Sequence, residues 1–238
     1  MPLSQAPALA LFDIDGTLLR RAGPAHREAL VEGVRRVTGY DTTTDGIPLY
    51  GMLDPDIIRE MLRRAGAPAR VAREALPGIV AAAQRIYRRT CPVLTRRTCP
   101  GVRRLLGRLE RRGILMGLVT GNLTRIGWWK LERAGLRRYF RFGAFGEMAR
   151  DRAGLARLAL RRARHEGWIG PATPVCLIGD APADILAARA NGLRSISVAT
   201  GMLPAEALRA YSPDIMLEDL RGLRPEMIMT PSRTGDTG

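Results

Sequence analysis

Four short, largely apolar runs punctuate the chain: Ala8 to Phe12, Ile114 to Val119, Pro174 to Ile178 and Arg194 to Ala199, each bounded by turn residues. Runs of this length predict strands buried on both faces, as in a parallel sheet. A weaker fifth run, Phe140 to Phe145, follows a helical pattern that ends at Ala134-Gly135. Between the runs, apolar positions recur at helical spacing over Val102 to Arg111, Thr124 to Arg133, Leu155 to Arg164 and Asp184 to Ala190. Strands alternating with helices predict an α/β fold, a Rossmann-like parallel sheet covered on both faces. The interval from Arg21 to about Thr98 breaks this alternation. It carries helical patterns over Ala25 to Val37, Pro55 to Ala65 and Arg70 to Arg89, with a break expected near Pro77-Gly78, and no convincing strand. The expected organisation is therefore a core from residues 1–20 and 99–224, an inserted α-helical cap over 21–98, and a flexible tail over 225–238, which is rich in Pro, Thr and Gly.

Open parallel sheets form their sites at the carboxyl ends of the strands, and the polar residues of this chain gather there. The first strand runs into Asp13-Ile14-Asp15-Gly16-Thr17. One of these carboxylates can attack phosphorus while the other serves as acid and then base, and Gly16 lets the backbone turn close to a phosphoryl group. The same residues are also what a plain Asp-Gly turn requires. The second strand ends in Thr120-Gly121-Asn122, where a hydroxyl and the N–H groups opening the next helix can cradle a phosphate or simply cap that helix. The third ends in Gly179-Asp180-Ala181-Pro182-Ala183-Asp184, a spacing that lets one acid ligate a cation directly with the second a helical turn on. Four carboxylates converging without a cation repel one another, and a divalent metal with a phosphate resolves the conflict.

Composition narrows the class. With 46% hydrophobic and 26% charged residues, the chain fits a globular protein rather than a disordered one. No apolar run reaches the roughly 18 residues of a membrane span. The N-terminal stretch lacks a basic segment, so no signal peptide is expected. Cys91, Cys99 and Cys176 form no C-x-x-C pair and read as thiols of a reduced, cytoplasmic protein, with a Cys91–Cys99 link left open. A net charge of +15 raises nucleic acid as a partner. The basic residues are nearly all arginine, however, and they spread over most helices (Arg63-Arg64, Arg88-Arg89, Arg111-Arg112, Arg161-Arg162) instead of forming one tract. Nonspecific attraction of polyanions and steering of anionic substrates fit that spread, whereas nucleic acid as substrate does not.

Together these motifs resemble the haloacid dehalogenase-like superfamily, most closely its phosphoglycolate phosphatase-type branch with a helical cap. The resemblance runs from about Leu9 to Leu220. It implies a magnesium-dependent phosphatase acting on small phosphorylated metabolites, through an aspartyl-phosphate on Asp13. Asp15 would be the general acid/base, held protonated by its acidic surroundings. Thr120 would bind phosphate, alongside Gly16, Gly121 and Asn122. Asp13, the backbone carbonyl of Asp15, and Asp180 would hold Mg2+, with Asp184 supporting through water. The superfamily's remaining motif is a lysine or arginine beside the nucleophile, and the candidate here is Arg152, with Arg150 as the alternative. Lys130, the only lysine in the chain, falls too early for that role and is expected to pack or face solvent.

The same resemblance sorts the relatives. Dehalogenases lack the second acid of the first motif, which Asp15 supplies, and phosphonate-cleaving members need a cap lysine that is missing here. A phosphomutase uses the same core residues and stays open, as does a non-catalytic arginine-rich binding protein on this fold. The Tyr50-Gly51-Met52-Leu53-Asp54 loop is expected to line the substrate pocket, with Leu53 standing where related enzymes carry a threonine. Trp128-Trp129 is expected to pack its helix on the sheet. His26 and His165 are expected to be exposed and without a role.

Overall fold

A computed structural model describes residues 5–20 and 23–230. Six strands form one parallel sheet in the order β3-β2-β1-β4-β5-β6. They are β1 (Leu9–Phe12), β2 (Leu115–Val119), β3 (Phe142–Ala144), β4 (Val175–Gly179), β5 (Arg194–Val198) and β6 (Ile215–Leu217). β1 is central: Leu9 lies opposite Leu115 on one side and Val175 on the other. Alternate side chains of a strand leave opposite faces. Ala10 and Phe12 accordingly enter one apolar layer with Leu105 and Ile126, while Leu9 and Leu11 enter the other with Leu155 and Ala187. Both faces of β1 are therefore dry, which is why its sequence shows no polar alternation.

The covering helices of the core are α4 (Val102–Arg111), α5 (Thr124–Arg133), α6 (Arg152–His165) and α7 (Pro182–Ala190). Between β1 and α4 the chain forms α1 (Ala25–Thr38), α2 (Asp54–Arg64) and α3 (Ala69–Thr90). α3 runs through Pro77 without the expected break. Proline removes one helical hydrogen bond, but contacts along α1 span the position: Gly33 packs on Ala83 and Gly78 on Val37. Trp128 of α5 meets Phe145, ring centroids 5.2 Å apart. The strand near Phe140–Phe145 is shorter than the apolar run, because Phe140 leaves the ladder to stack edge-on against Phe12 at 5.8 Å.

Three elements lie outside the expected pattern: α8 (Ala205–Arg209), β6 and α9 (Pro225–Met229). Each is three to five residues long, too short to show a period, and β6 is only half-buried. Residues 225–229, expected to fray, are instead held by Ile228 in the core and by Arg194 donating to the Met227 carbonyl at 3.1 Å; residues 231–238 of that tail lie outside the described residues. All three cysteines are free thiols, so Cys91 and Cys99 are not linked. Among the described residues no helix is long and apolar enough to cross a membrane.

Candidate active site

The carboxyl ends of β1, β2 and β4 lie side by side and bring the three motifs together. Asp13 follows β1 directly, and its N–H donates to the Ile178 carbonyl at 2.9 Å, continuing the ladder by one residue. Asp13, Asp180 and Asp184 are all buried, and each offers a carboxylate oxygen within 4.8 Å of the others. The chain turns at Gly16 with φ at 90°, and a Cβ there would collide with the Asp180 carboxylate, so both conformation and space demand glycine. Thr17 donates to Asp180 Oδ1 at 2.9 Å. Asp184, in the first turn of α7, accepts from the Ala181 N–H at 3.2 Å.

Arg152 opens α6, a helix start fixed by Asp151 accepting from the Gly154 N–H at 2.6 Å. Its Nη1 donates to Asp13 Oδ1 at 3.2 Å, and its Nε lies 3.1 Å from Asp184 Oδ1. Arg150 is exposed and does not line the cavity formed here. The two arginines are two residues apart, and only the capped helix start decides which one turns inward.

Charge is unbalanced in this cluster, with three buried carboxylates facing one guanidinium. Burial pushes the Asp13 carboxyl above its usual range; Arg152 opposes the rise and Asp15 adds to it. Burial, then Asp13 and Asp184, push Asp180 well above the usual carboxylate range. Burial outweighs the pull of Arg152 on Asp184 and, helped by Asp13, pushes it up to about 7. Among the described residues Asp184 Oδ1 receives no hydrogen bond, and the Arg152 guanidinium lies 3.1 Å from it. A hard divalent cation fits this donor set, since oxygen ligands and surplus negative charge are what such an ion requires.

Asp15 stands apart from that cluster. Its side chain is 34% exposed, and Oδ2 accepts from Lys130 Nζ at 2.5 Å and from Asn122 Nδ2 at 2.8 Å. Burial would raise its pKa, but Lys130, His26 and these hydrogen bonds outweigh burial and hold the carboxyl below its ordinary range. This corrects the expectation of a protonated Asp15: the resting side chain is a carboxylate, because its nearest charged neighbour is an ammonium and not another acid.

Lys130 is completely buried, one of the two settings expected for it, but its Nζ lies at the site, where no part was expected. Helical side chains lean toward the N-terminus of their helix. From the second turn of α5, a long side chain reaches back to the carboxyl ends of the strands. His26, expected to be exposed, is largely buried, with Nε2 2.9 Å from Asp54 Oδ2; His165 is exposed as expected.

Thr120 is buried at the end of β2, and its hydroxyl accepts from Asn122 Nδ2 at 2.8 Å. The Asn122 side chain is divided among Thr120, Asp15 and Lys130, which leaves the backbone N–H groups after β2 as the part of this turn that was expected to cradle phosphate. The Gly121 carbonyl accepts from the Asp54 N–H at 2.8 Å, and a Cβ on Gly121 would collide with the Met52 carbonyl. The helical segment is thus seated directly on the β2 loop. His26 and Lys130 join the site without having been expected there, while Thr17 and Asp54 had been placed in a motif and a pocket loop with no role of their own. For Lys130 a signal existed, since one lysine survives in a chain that otherwise uses arginine for every basic side chain of this length.

A cavity of about 470 Å³ opens over these groups. Asp13, Asp15, Lys130, Arg152 and Asp180 form its floor, and Leu30, Ile47, Met52 and Ile57 contribute to the opposite wall. Within the loop at residues 50–54, Leu53 does not line the cavity; it packs in the apolar layer with Val119 and Phe142. Its substitution for a polar residue therefore removes no contact from the pocket.

Residues 7–192 match the family model described as haloacid dehalogenase-like hydrolase. A phosphoglycolate phosphatase of Synechococcus elongatus is 31% identical over 210 residues, covering 87% of this chain and 91% of that protein. Among solved structures, a β-phosphoglucomutase of Clostridium difficile superposes with a TM-score of 0.68 at 18% identity, covering 94% of this chain and 96% of that one. A predicted phosphoglycolate phosphatase of Haemophilus somnus superposes with a TM-score of 0.66 at 17% identity, over 92% and 96% of the two chains. At those identities the structural likeness speaks for the fold, while the family model and the Synechococcus relative speak for descent. The chain belongs to the haloacid dehalogenase-like hydrolase family and, within it, is a phosphoglycolate phosphatase-like phosphoric monoester hydrolase.

Proposed function

We propose that the protein is a magnesium-dependent phosphatase that hydrolyses small phosphomonoesters through an aspartyl-phosphate on Asp13, with residues 21–98 acting as the cap over its site. One observation carries this reading. Three buried acids converge where a cation fits, with Arg152 on the first of them, while the fourth acid of the motifs, Asp15, is held apart. Magnesium would be held by Asp13, Asp180 and the backbone carbonyl of Asp15, with Asp184 supporting, and would supply charge neutralisation.

In the first step Asp15, a carboxylate at rest, takes up the proton of the phosphomonoester monoanion and passes it to the leaving oxygen as an Asp13 carboxylate oxygen bonds to phosphorus and the ester P–O bond breaks. In the second step water bonds to phosphorus, the Asp13–phosphorus bond breaks, and the water proton passes to the Asp15 carboxylate. Arg152 orients Asp13 and offsets charge on the phosphoryl group. Thr120 and the Gly16 turn supply the phosphate cradle.

The direct test is a panel of phosphomonoesters, from phosphoglycolate to hexose and pentose phosphates, assayed for free phosphate with and without Mg2+. Magnesium-dependent release from at least one ester is expected. No release from any member, together with salt-dependent binding to nucleic acid, points instead to a binding protein on this fold. Conversion of a sugar phosphate to its isomer without net phosphate release identifies a mutase.

The acid cluster also sets a pH dependence for the metal-free protein. Asp184 is pushed up to about 7 in the folded state from a reference value of 3.8. The folded protein therefore holds that proton more tightly than the unfolded chain. Stability from this group is fully present below 3.8 and is lost as pH rises toward about 7. Melting in EDTA should fall between pH 5 and pH 8, and added Mg2+ should raise the melting temperature more at pH 8 than at pH 5. An equal or larger magnesium effect at pH 5 contradicts the assignment of these acids to a metal.

A further inference from the structure

Lys130 is a fully buried ammonium group with three hydrogen-bonding partners. Nζ lies 2.5 Å from Asp15 Oδ2, 2.6 Å from Asn122 Oδ1 and 3.1 Å from His26 Nδ1. Three acceptors around one nitrogen match the three donors of an ammonium, which a planar guanidinium does not reproduce. That match explains why this position keeps a lysine in a chain whose other 37 basic residues of this kind are arginine. The network continues into the helical segment. The other ring nitrogen of His26, Nε2, lies 2.9 Å from Asp54 Oδ2. Asp54, buried at the start of α2, also accepts from the Leu123 N–H at 2.8 Å, where α5 begins.

The consequence falls on Asp15. Its Oδ2 is occupied twice, by Lys130 and Asn122, while Oδ1 has no hydrogen bond among the described residues and the side chain lines the cavity. We propose that Lys130 and His26 are positioning residues for Asp15: Lys130 pins one carboxylate oxygen so that the other is presented to the reacting phosphoryl group, and His26 makes that arrangement depend on the seating of α1 and α2. A carboxylate free to rotate would spend much of its time with neither oxygen at the attacking water, and pre-orientation of this kind is worth orders of magnitude in rate. The inference rests on the phosphatase reading and deepens it. Its chemistry is the second step above: the water oxygen bonds to phosphorus, the Asp13–phosphorus bond breaks, and Asp15 Oδ1 takes the water proton.

The test compares Lys130→Met and His26→Phe with the parent protein on p-nitrophenyl phosphate and on an alkyl phosphate, with Mg2+ present. His26→Phe keeps a ring against Tyr87, which packs edge-on at 5.8 Å. Nitrophenolate leaves without a proton, so the first step needs little from Asp15 while the second still needs its base. Lys130→Met should show a burst of nitrophenolate near one per active centre, then a steady rate about 10²-fold below the parent, with KM falling alongside it and kcat/KM changed less than about threefold. His26→Phe should lose about tenfold in kcat, again with little change in kcat/KM. The alkyl phosphate should suffer more than the aryl one in both variants. Loss of fold would lower burst and steady rate in parallel, and if Lys130→Met does not fold, His26→Phe alone decides. Steady rates within threefold of the parent, or a loss confined to KM, overturn the proposal. A parent protein that releases no phosphate at all defeats the phosphatase reading instead, so the two failures are separable.

Discussion

Asp13→Asn is expected to abolish phosphate release, by at least about 10³-fold, while leaving the protein folded. An amide cannot take up a phosphoryl group, and none of the other buried acids can substitute. Asp180 is tied to Thr17 and Asp184 to the Ala181 N–H, while Asp15 is held on Lys130. The fold should tolerate the change, because it relieves a cluster whose carboxyls are all driven upward by burial and mutual repulsion. Arg152 keeps Asp184 as partner at 3.1 Å. Phosphate release on the best ester of the panel and thermal melting at pH 8 in EDTA are the measurements. Turnover within tenfold of the parent would remove Asp13 as nucleophile, and with it the aspartyl-phosphate.

The second large effect is expected at Arg152→Met. Arg152 is 7% exposed and is the cation that bridges Asp13 and Asp184. Removing one partner of a buried ionic cluster leaves uncompensated charge, at a cost of about 3–5 kcal/mol. The sign with pH is fixed. The loss should be greatest at pH 8, where the carboxylates are most nearly ionised, and should shrink toward pH 5 as Asp13, Asp180 and Asp184 take up protons. Added Mg2+ should recover part of it. Turnover should fall about 10²–10³-fold, because a preorganised charge beside the transferring group is lost. Arg152→Lys should recover part of both, since an ammonium keeps the charge but not the fork that spans two acids. Chemical denaturation at the two pH values, run with EDTA and with Mg2+, checks the stability half. A Met variant as stable and active as the parent would show that Arg152 carries neither role.

The two arginine candidates show where sequence reading stops. Arg150 lies just before α6 and Arg152 opens it, and composition treats them alike. Only the cap made by Asp151 on Gly154 sets the start of α6 so that Arg152 faces Asp13 and Arg150 faces out. Lys130 is a harder case. In sequence it lies eight residues past Asn122, on a helix of mixed polarity, and distance along the chain argues against any part in the site. The packing of α5 over the sheet and the backward lean of its side chains bring the ammonium onto Asp15 and reverse the protonation expected for that acid. His26 and Asp54 follow the same logic, since their meeting depends on how α1 and α2 seat on the β2 loop.

What the sequence determined by itself is the parallel sheet from β1 to β5, the three strand-end motifs and the family they mark. Those are local matters: a strand dry on both faces must be apolar throughout, and a tight turn against a carboxylate must be glycine. Tertiary structure alone decided which cation faces which acid, and which oxygen of Asp15 is free. Those choices depend on distances between residues far apart in the chain, 139 positions for Arg152 and Asp13 and 115 for Lys130 and Asp15, where a displacement of about one ångström decides whether two charges pair. No pattern along the chain encodes such a distance.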